Sequence, residues 1–284
     1  MSENIRKSIS AGELYPSNPR ELGKTIEDCF SNSEGPGKLP EFNSKAPVCC
    51  IIVPYGKLSH FGPIAAHAYS RIAGTDIDSV VLLGPCQKSN QLFSIYPKGY
   101  WETPLGQVEV DEELCNKIAS EFSEAKLDPA PHVKESSIEV QIPFLQFVLK
   151  NKFKIVPICI EQYEPELCIK LSKIISKIAV EKRVLVLGIS NLTENQIYAQ
   201  TIRKDGLVFD RLAKPISVDM IKLYELMKEK DVQVSGYGSL AVLIGITKEL
   251  AANKVEIAKY STSGQTTGDY SSVTGYFSMV YAKS

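Results

Sequence analysis

Three apolar runs, each closed by a polar turn, constrain this chain more than any other feature. Val48 to Pro54 ends in Pro54-Tyr55-Gly56, Val80 to Leu83 in Gly84-Pro85-Cys86-Gln87, and Arg183 to Leu187 in Gly188-Ile189-Ser190-Asn191. Short Val-, Ile- and Leu-rich runs without polar alternation fit strands buried on both faces. Helical segments alternate with such runs along the chain, no linker divides it, and no repeat is evident. A single α/β domain over residues 1–284 is therefore expected, with a central, mixed, largely buried sheet flanked by helices.

Periodicity and punctuation place the other elements. Asn18 to Phe30 reads as a helix, capped by Asn18 or Ser17, with Pro19 in its first turn. Further helices are predicted over Pro63–Ile72, Asp111–Phe122, Glu164–Val180, Val218–Glu229 and Gly238–Ala252. Strands are predicted over Ser79–Gly84, Phe93–Tyr96, Phe153–Ile160, Lys182–Gly188, Val255–Tyr260 and Val273–Ala282. Thr103-Pro104-Leu105-Gly106 turns a hairpin within Gly99–Val110. Ser136 to Lys150 is apolar at helical spacing, and Pro143 inside it predicts a kink or a break. Residues 31–46, rich in Ser, Gly and Pro, predict an exposed loop.

Bulk properties exclude several classes. With 44% hydrophobic and 23% charged residues, disorder is not expected. A net charge of −1 gives no long-range attraction to nucleic acid or to an anionic membrane, so neither is expected as a partner. The first twelve residues lack an apolar signal core, and the seven cysteines form no C-x-x-C pair. Reduced, buried thiols and a cytoplasmic location are expected.

Ligands of α/β folds sit at the carboxyl ends of strands. Here those turns carry Tyr55, Cys86, Gln87, Asn191 and, in Ser235-Gly236-Tyr237-Gly238, Ser235. A metal site would want His, Asp or Cys. No G-x-x-x-x-G-K-[ST], no G-x-G-x-x-G after a strand and no G-x-S-x-G elbow occurs. Gly236-Tyr237-Gly238 reads more simply as a tight turn than as an anion cradle. Ser190 and Ser235 have no nearby His as base. Glu139 and Glu194 form a conceivable carboxylate pair, although Glu139 reads better as a helix residue anchoring a loop. His67, among small residues on a helix, reads as a packed histidine bonded to backbone.

Several stretches together resemble the Memo family. They are Val53-Pro54-Tyr55-Gly56 with Gly62 to Tyr69, Leu82-Leu83-Gly84-Pro85, Ser137-Ile138-Glu139-Val140-Gln141-Ile142-Pro143-Phe144-Leu145, and Tyr260 to Gly264 with Thr267-Gly268-Asp269 and Val273 to Tyr276. Ser8 to Tyr15 resembles the family's opening segment. The matches keep chain order over nearly the whole length. The resemblance implies a fold shared with class III extradiol dioxygenases, which use a non-haem metal, and a pocket lined by histidines, an aspartate and a cysteine.

The chain departs from that pattern at each pocket position. Tyr55 stands for the first loop's His, Gln87 for the second, and Ser136 for the His before the S-I-E stretch. The family's S-D-x-x-H loop reads Ser190-Asn191-Leu192-Thr193-Glu194, and its C-G-Y-G loop begins with Ser235. Gln, Asn, Ser and protonated Tyr are poor substitutes for imidazole and thiolate. The expectation is a Memo-like protein with a degenerate metal site and no cofactor. Its cleft, lined by Tyr55, Gln87, Ser136, Glu139, Asn191, Glu194 and Ser235, would bind a polar small molecule or a peptide, without catalysis. One alternative is a metal-independent enzyme in which Cys86, beside Lys88, is the nucleophile and Glu194 the acid or base. Another is a metal-dependent, dioxygenase-like or redox enzyme, should a replacement ligand such as His60 enter the cleft. A stable protein partner is a further expectation.

Overall fold

A computed structural model describes residues 4–43, 47–86, 91–149, 151–161, 163–214 and 217–283. One sheet of eleven strands runs through it. Its middle is parallel and comprises β6 (Gly106–Val110), β8 (Lys154–Ile160), β3 (Ser79–Pro85), β9 (Val184–Ile189) and β2 (Val48–Val53), in that order. Beyond β2 lie β11 (Gly275–Ala282) and β10 (Lys254–Thr262), both antiparallel to their neighbours. Beyond β6 lie β5 (Tyr100–Thr103), antiparallel to it, and β1 (Ile5–Arg6), parallel to β5. A branch pairs β4 (Phe93–Ile95) with β7 (Ala125–Leu127) and with the end of β8. The sheet is therefore mixed.

Helices cover both faces. α5 (Pro165–Glu181) and α8 (Tyr237–Glu249) pack on each other, and α8 lies on β9 and β3. α1 (Pro19–Ser31) packs on α2 (Leu58–Arg71), which lies against β2 and β11. This double cover explains why every residue of β9 is buried and why its sequence shows no alternation. α8 is buried nearly all round, from Tyr237 to Thr247, as its uniformly apolar sequence requires. No helix among the described residues is long and apolar enough to cross a membrane.

Four local expectations change. α2 starts at Leu58, five residues before the expected Pro63, so the proline sits inside the helix and leaves the Ser59 carbonyl without an intrahelical donor. Pro143 neither kinks nor breaks a helix; it opens one. A 3₁₀ turn over Glu139–Gln141 leads into α4 (Ile142–Val148), where a first-turn proline loses no hydrogen bond. α3 (Glu112–Glu121) and α7 (Met220–Glu229) follow the pattern, but α6 (Tyr198–Leu212) was not predicted at all. Its inward stripe is Thr201, Asp205, Val208 and Leu212, half of it polar, so hydropathy does not reveal it. The very short strands β1 and β7 were also unpredicted, since two or three residues carry no period.

Candidate functional site

The parallel register brings the predicted turns to one edge. Val53 pairs with Ile189, and Leu83 with Gly188, so the chain leaves β2, β3 and β9 side by side. The segment before α8 joins them: the Ser235 carbonyl accepts from the Asn191 N–H at 3.2 Å and from the Ser190 hydroxyl at 2.6 Å. Gly236 follows with φ of 81°, and a Cβ there would run into the Ile189 carbonyl oxygen, so only glycine lets the segment approach. The loop after β9 is pinned from behind. Asp205 of α6 accepts from the Thr193 N–H at 2.8 Å and from the Tyr260 hydroxyl at 2.8 Å.

Four predicted residues converge. Asn191, 3% exposed, continues the pairing of β2 and β9 with its side chain. Its Oδ1 accepts from the Tyr55 N–H at 3.0 Å, and its Nδ2 donates to the Tyr55 carbonyl at 3.1 Å and to Glu194 Oε1 at 2.8 Å. Only a carboxamide offers an acceptor and a two-proton donor in that arrangement. The Tyr55 hydroxyl makes a short hydrogen bond with the Ser235 hydroxyl. Burial, helped by the Glu194 charge, pushes the phenols of Tyr55 and Tyr276 well above their ordinary range. Both are protonated at neutral pH.

A cavity of about 670 Å³ opens beside this cluster, its wall including Tyr55, Pro85, Lys134, Glu135 and Ser136. Glu135 was not singled out in the sequence. Burial raises its carboxyl above the usual range, and one oxygen accepts from the Ser137 N–H at 2.7 Å. A second cavity of about 640 Å³ shares Pro85 and is walled by Glu161, Gly236 and three tyrosines, Tyr163, Tyr224 and Tyr237, packed edge to face or tilted. No period links those tyrosines in sequence; only the fold assembles them. Tyr276 was noted only as part of the C-terminal signature.

The remaining candidates lie elsewhere. Gln87 and Lys88 fall outside the described residues. Cys86 is buried, and the groups acting on it are Cys159, Glu135 and Glu161, whereas Glu194 faces Asn191 and Tyr55. Glu139 lines neither cavity and, unlike Asn191, Glu194 and Ser235, stands apart from the Tyr55 cluster. Fully buried, it pairs with Arg6 at 2.5 Å and accepts from the Ser10 N–H at 2.8 Å and the Tyr15 hydroxyl at 2.7 Å, tying down the N-terminal segment. The loop-anchoring role is the one its geometry supports. His60, on the first turn of α2, also lines neither cavity. His67 donates from Nε2 to the Glu34 carbonyl at 3.0 Å, as a packed histidine should. His132 is enclosed between Tyr96 and Trp101, and burial drives its pKa down to about 3. Among the described residues, no three His, Cys, Asp or Glu side chains gather as a metal-holding group.

A comparison with family models matches residues 6–280 to the Memo-like protein family. The chain belongs to that family. A MEMO1 family protein of Sulfurisphaera tokodaii is 37% identical over 283 residues, covering 97% of this chain and 98% of the relative. Others from Methanopyrus kandleri and Methanocaldococcus jannaschii are each 34% identical, over 284 and 285 residues, with at least 97% of both chains covered. The match therefore runs over all the turns described above and all but the outermost residues of the sheet. The chemistry at those turns is set by this chain's own side chains: two phenols, a carboxamide, hydroxyls and carboxylates.

Proposed function

We propose that this Memo-like protein is a binding or regulatory protein whose cleft recognises a polar small molecule or a peptide without a metal and without catalysis. One observation carries the reading. At the position where the resemblance expects a metal-pocket aspartate, Asn191 is a strut that hydrogen-bonds both backbone groups of Tyr55 and the Glu194 carboxylate. Both amide protons are taken and the oxygen is held on the Tyr55 N–H, so this neutral side chain offers a cation no charge and at most one remaining lone pair, and the neighbouring phenol and hydroxyl are bonded to each other. The donor set does not fit a non-haem metal, which wants imidazole and carboxylate on one face. It does fit a neutral or zwitterionic polar ligand, with a phenol and hydroxyls to donate and with Glu135 and Glu194 to accept. The separate surroundings of Cys86 and Glu194 argue against a joint catalytic role.

Elemental analysis of freshly purified protein tests this directly. Iron, copper and zinc are expected at far below one per chain, and stoichiometric metal sinks the proposal. A thermal-shift screen of polar metabolites and short peptides is expected to yield ligands whose effect is lost in Tyr55→Phe and Glu135→Ala. Ligands that stabilise those variants equally would place binding elsewhere.

A further inference from the structure

We propose that Cys86 and Cys159 are a reversible dithiol–disulfide pair beside the cleft, oxidised by a small hydroperoxide that enters at Cys86. The inference is independent of the binding role above. It starts from the ladder between β3 and β8, where Gly84 is the partner of Cys159. Cys86 lies two residues beyond Gly84, so its side chain falls on the same face as Cys159. The Cys86 N–H donates to the Ile160 carbonyl at 3.1 Å, which holds this stretch against β8. The two side chains are thus diagonal neighbours on one face of the ladder, and each is the first group acting on the other, lowering the Cys86 thiol and raising that of Cys159.

His132 completes the arrangement. Its Nε2 carries the proton, because it faces the Ser94 carbonyl at 3.1 Å. Nδ1 therefore presents a lone pair, and Cys159 Sγ lies 3.4 Å from it. Cys159 donates its S–H to that nitrogen, which holds its sulfur in place. Cys86 is the outer member: it is 5% exposed against 1% for Cys159, and it follows Pro85, which walls both cavities. It also lies just beyond the last residue of β3, and closing the disulfide brings its Cα to within at most ~7 Å of that of Cys159.

The other cysteines offer no such pair. Cys29, Cys115 and Cys168 each direct a thiol at a backbone carbonyl, and burial pushes all three up, Cys29 and Cys168 to about 12. Cys49 and Cys50 are consecutive in β2 and point to opposite faces.

The chemistry balances with a hydroperoxide as oxidant. The Cys86 thiolate attacks one peroxide oxygen; the S–O bond forms, the O–O bond breaks, and the departing oxygen takes a proton to leave as water or an alcohol. The Cys159 sulfur then attacks the Cys86 sulfenic acid. The S–S bond forms, the S–O bond breaks, and hydroxide leaves as water with the Cys159 proton. Two thiols give up two electrons to the hydroperoxide, and a small thiol reverses the change by exchange.

The test uses the full-length reduced protein, treated with increasing hydrogen peroxide, quenched with an alkylating reagent and mapped by peptide mass spectrometry. The expected first product is a Cys86–Cys159 crosslink with the other five cysteines still alkylated, restored by dithiothreitol. Cys159→Ala should stop the reaction at a Cys86 sulfenic acid that dimedone traps, and Cys86→Ser should leave Cys159 reduced at the same dose. Cys115→Ser should leave the crosslink intact. The proposal is overturned if Cys86 and Cys159 stay reduced at a dose that oxidises Cys49. It is also overturned if the first crosslink joins any other pair, or if dimedone marks Cys86 equally with and without Cys159. The wild-type map decides the matter even if a variant fails to fold.

Discussion

Removing Glu139 should unfasten the N-terminal segment, and the size of the effect can be worked from its partners. Its carboxylate is fully buried and faces Arg6, itself only 6% exposed. It also accepts from the N–H groups of Ile9 and Ser10 and from the Tyr15 hydroxyl. Glu139→Ala leaves a buried guanidinium without its counter-charge and three further donors without their acceptor. Breaking a buried pair from one side costs ~3–5 kcal/mol. For a chain of this size each kcal/mol lowers Tm by roughly 2 °C, so a fall of roughly 6–10 °C is expected. Glu139→Gln should recover little, because both carboxylate oxygens accept and the new NH₂ would face a donor. Arg6→Met should cost less in the Glu139→Gln background than alone, with a coupling of ~1–3 kcal/mol. Urea unfolding followed by circular dichroism measures these values. The single tryptophan adds a local probe, since the Arg6 guanidinium lies 4.0 Å over the Trp101 ring. Trp101 emission should shift in each variant before global unfolding. A loss below ~1 kcal/mol for Glu139→Ala, the scale of an exposed ion pair, with unchanged Trp101 emission would refute this account.

Three further outcomes are expected. Asn191→Asp, which restores the residue that the family resemblance expects, should destabilise by ~1–3 kcal/mol at neutral pH, because a carboxylate would face the Tyr55 carbonyl and Glu194; equal or higher stability by urea titration would contradict the strut. Burial raises the Asp205 carboxyl, so its ionised form opposes folding at neutral pH, and that penalty disappears as pH falls through the raised folded value toward about 3.9, the ordinary Asp value. Wild type should therefore gain stability relative to Asp205→Asn on acidification, and a difference that stays flat in parallel urea titrations would reject the assignment. Gly236→Ala should cost at least ~1 kcal/mol, since φ is positive and the new methyl meets the Ile189 carbonyl; a Tm equal to wild type would show that the approach of the α8 segment to β9 is not tight.

The apolar runs over β2, β3 and β9 were legible in the sequence because strands covered on both faces cannot hide their composition. The turns after them were legible for the same reason: a polar stretch after such a run marks the strand's end. What the sequence could not reveal is which polar groups each turn residue meets. Glu139 and Asn191 are both polar residues in well-patterned stretches, yet one anchors the N-terminal segment and the other braces the cleft. α6 escaped because its buried stripe contains Asp205 and Thr201, whose burial makes sense only once Thr193 and Tyr260 are beside them. The juxtaposition of Cys86 with Cys159 and His132 is likewise invisible along the chain, since parallel register brings together residues separated by 73 positions in sequence. Sequence alone determined the layered α/β architecture and its strand-end turns, because burial of apolar surface is written in local composition. Tertiary structure alone decided which side chains are bonded to which, because hydrogen bonds at those turns are made across strands that never meet in sequence.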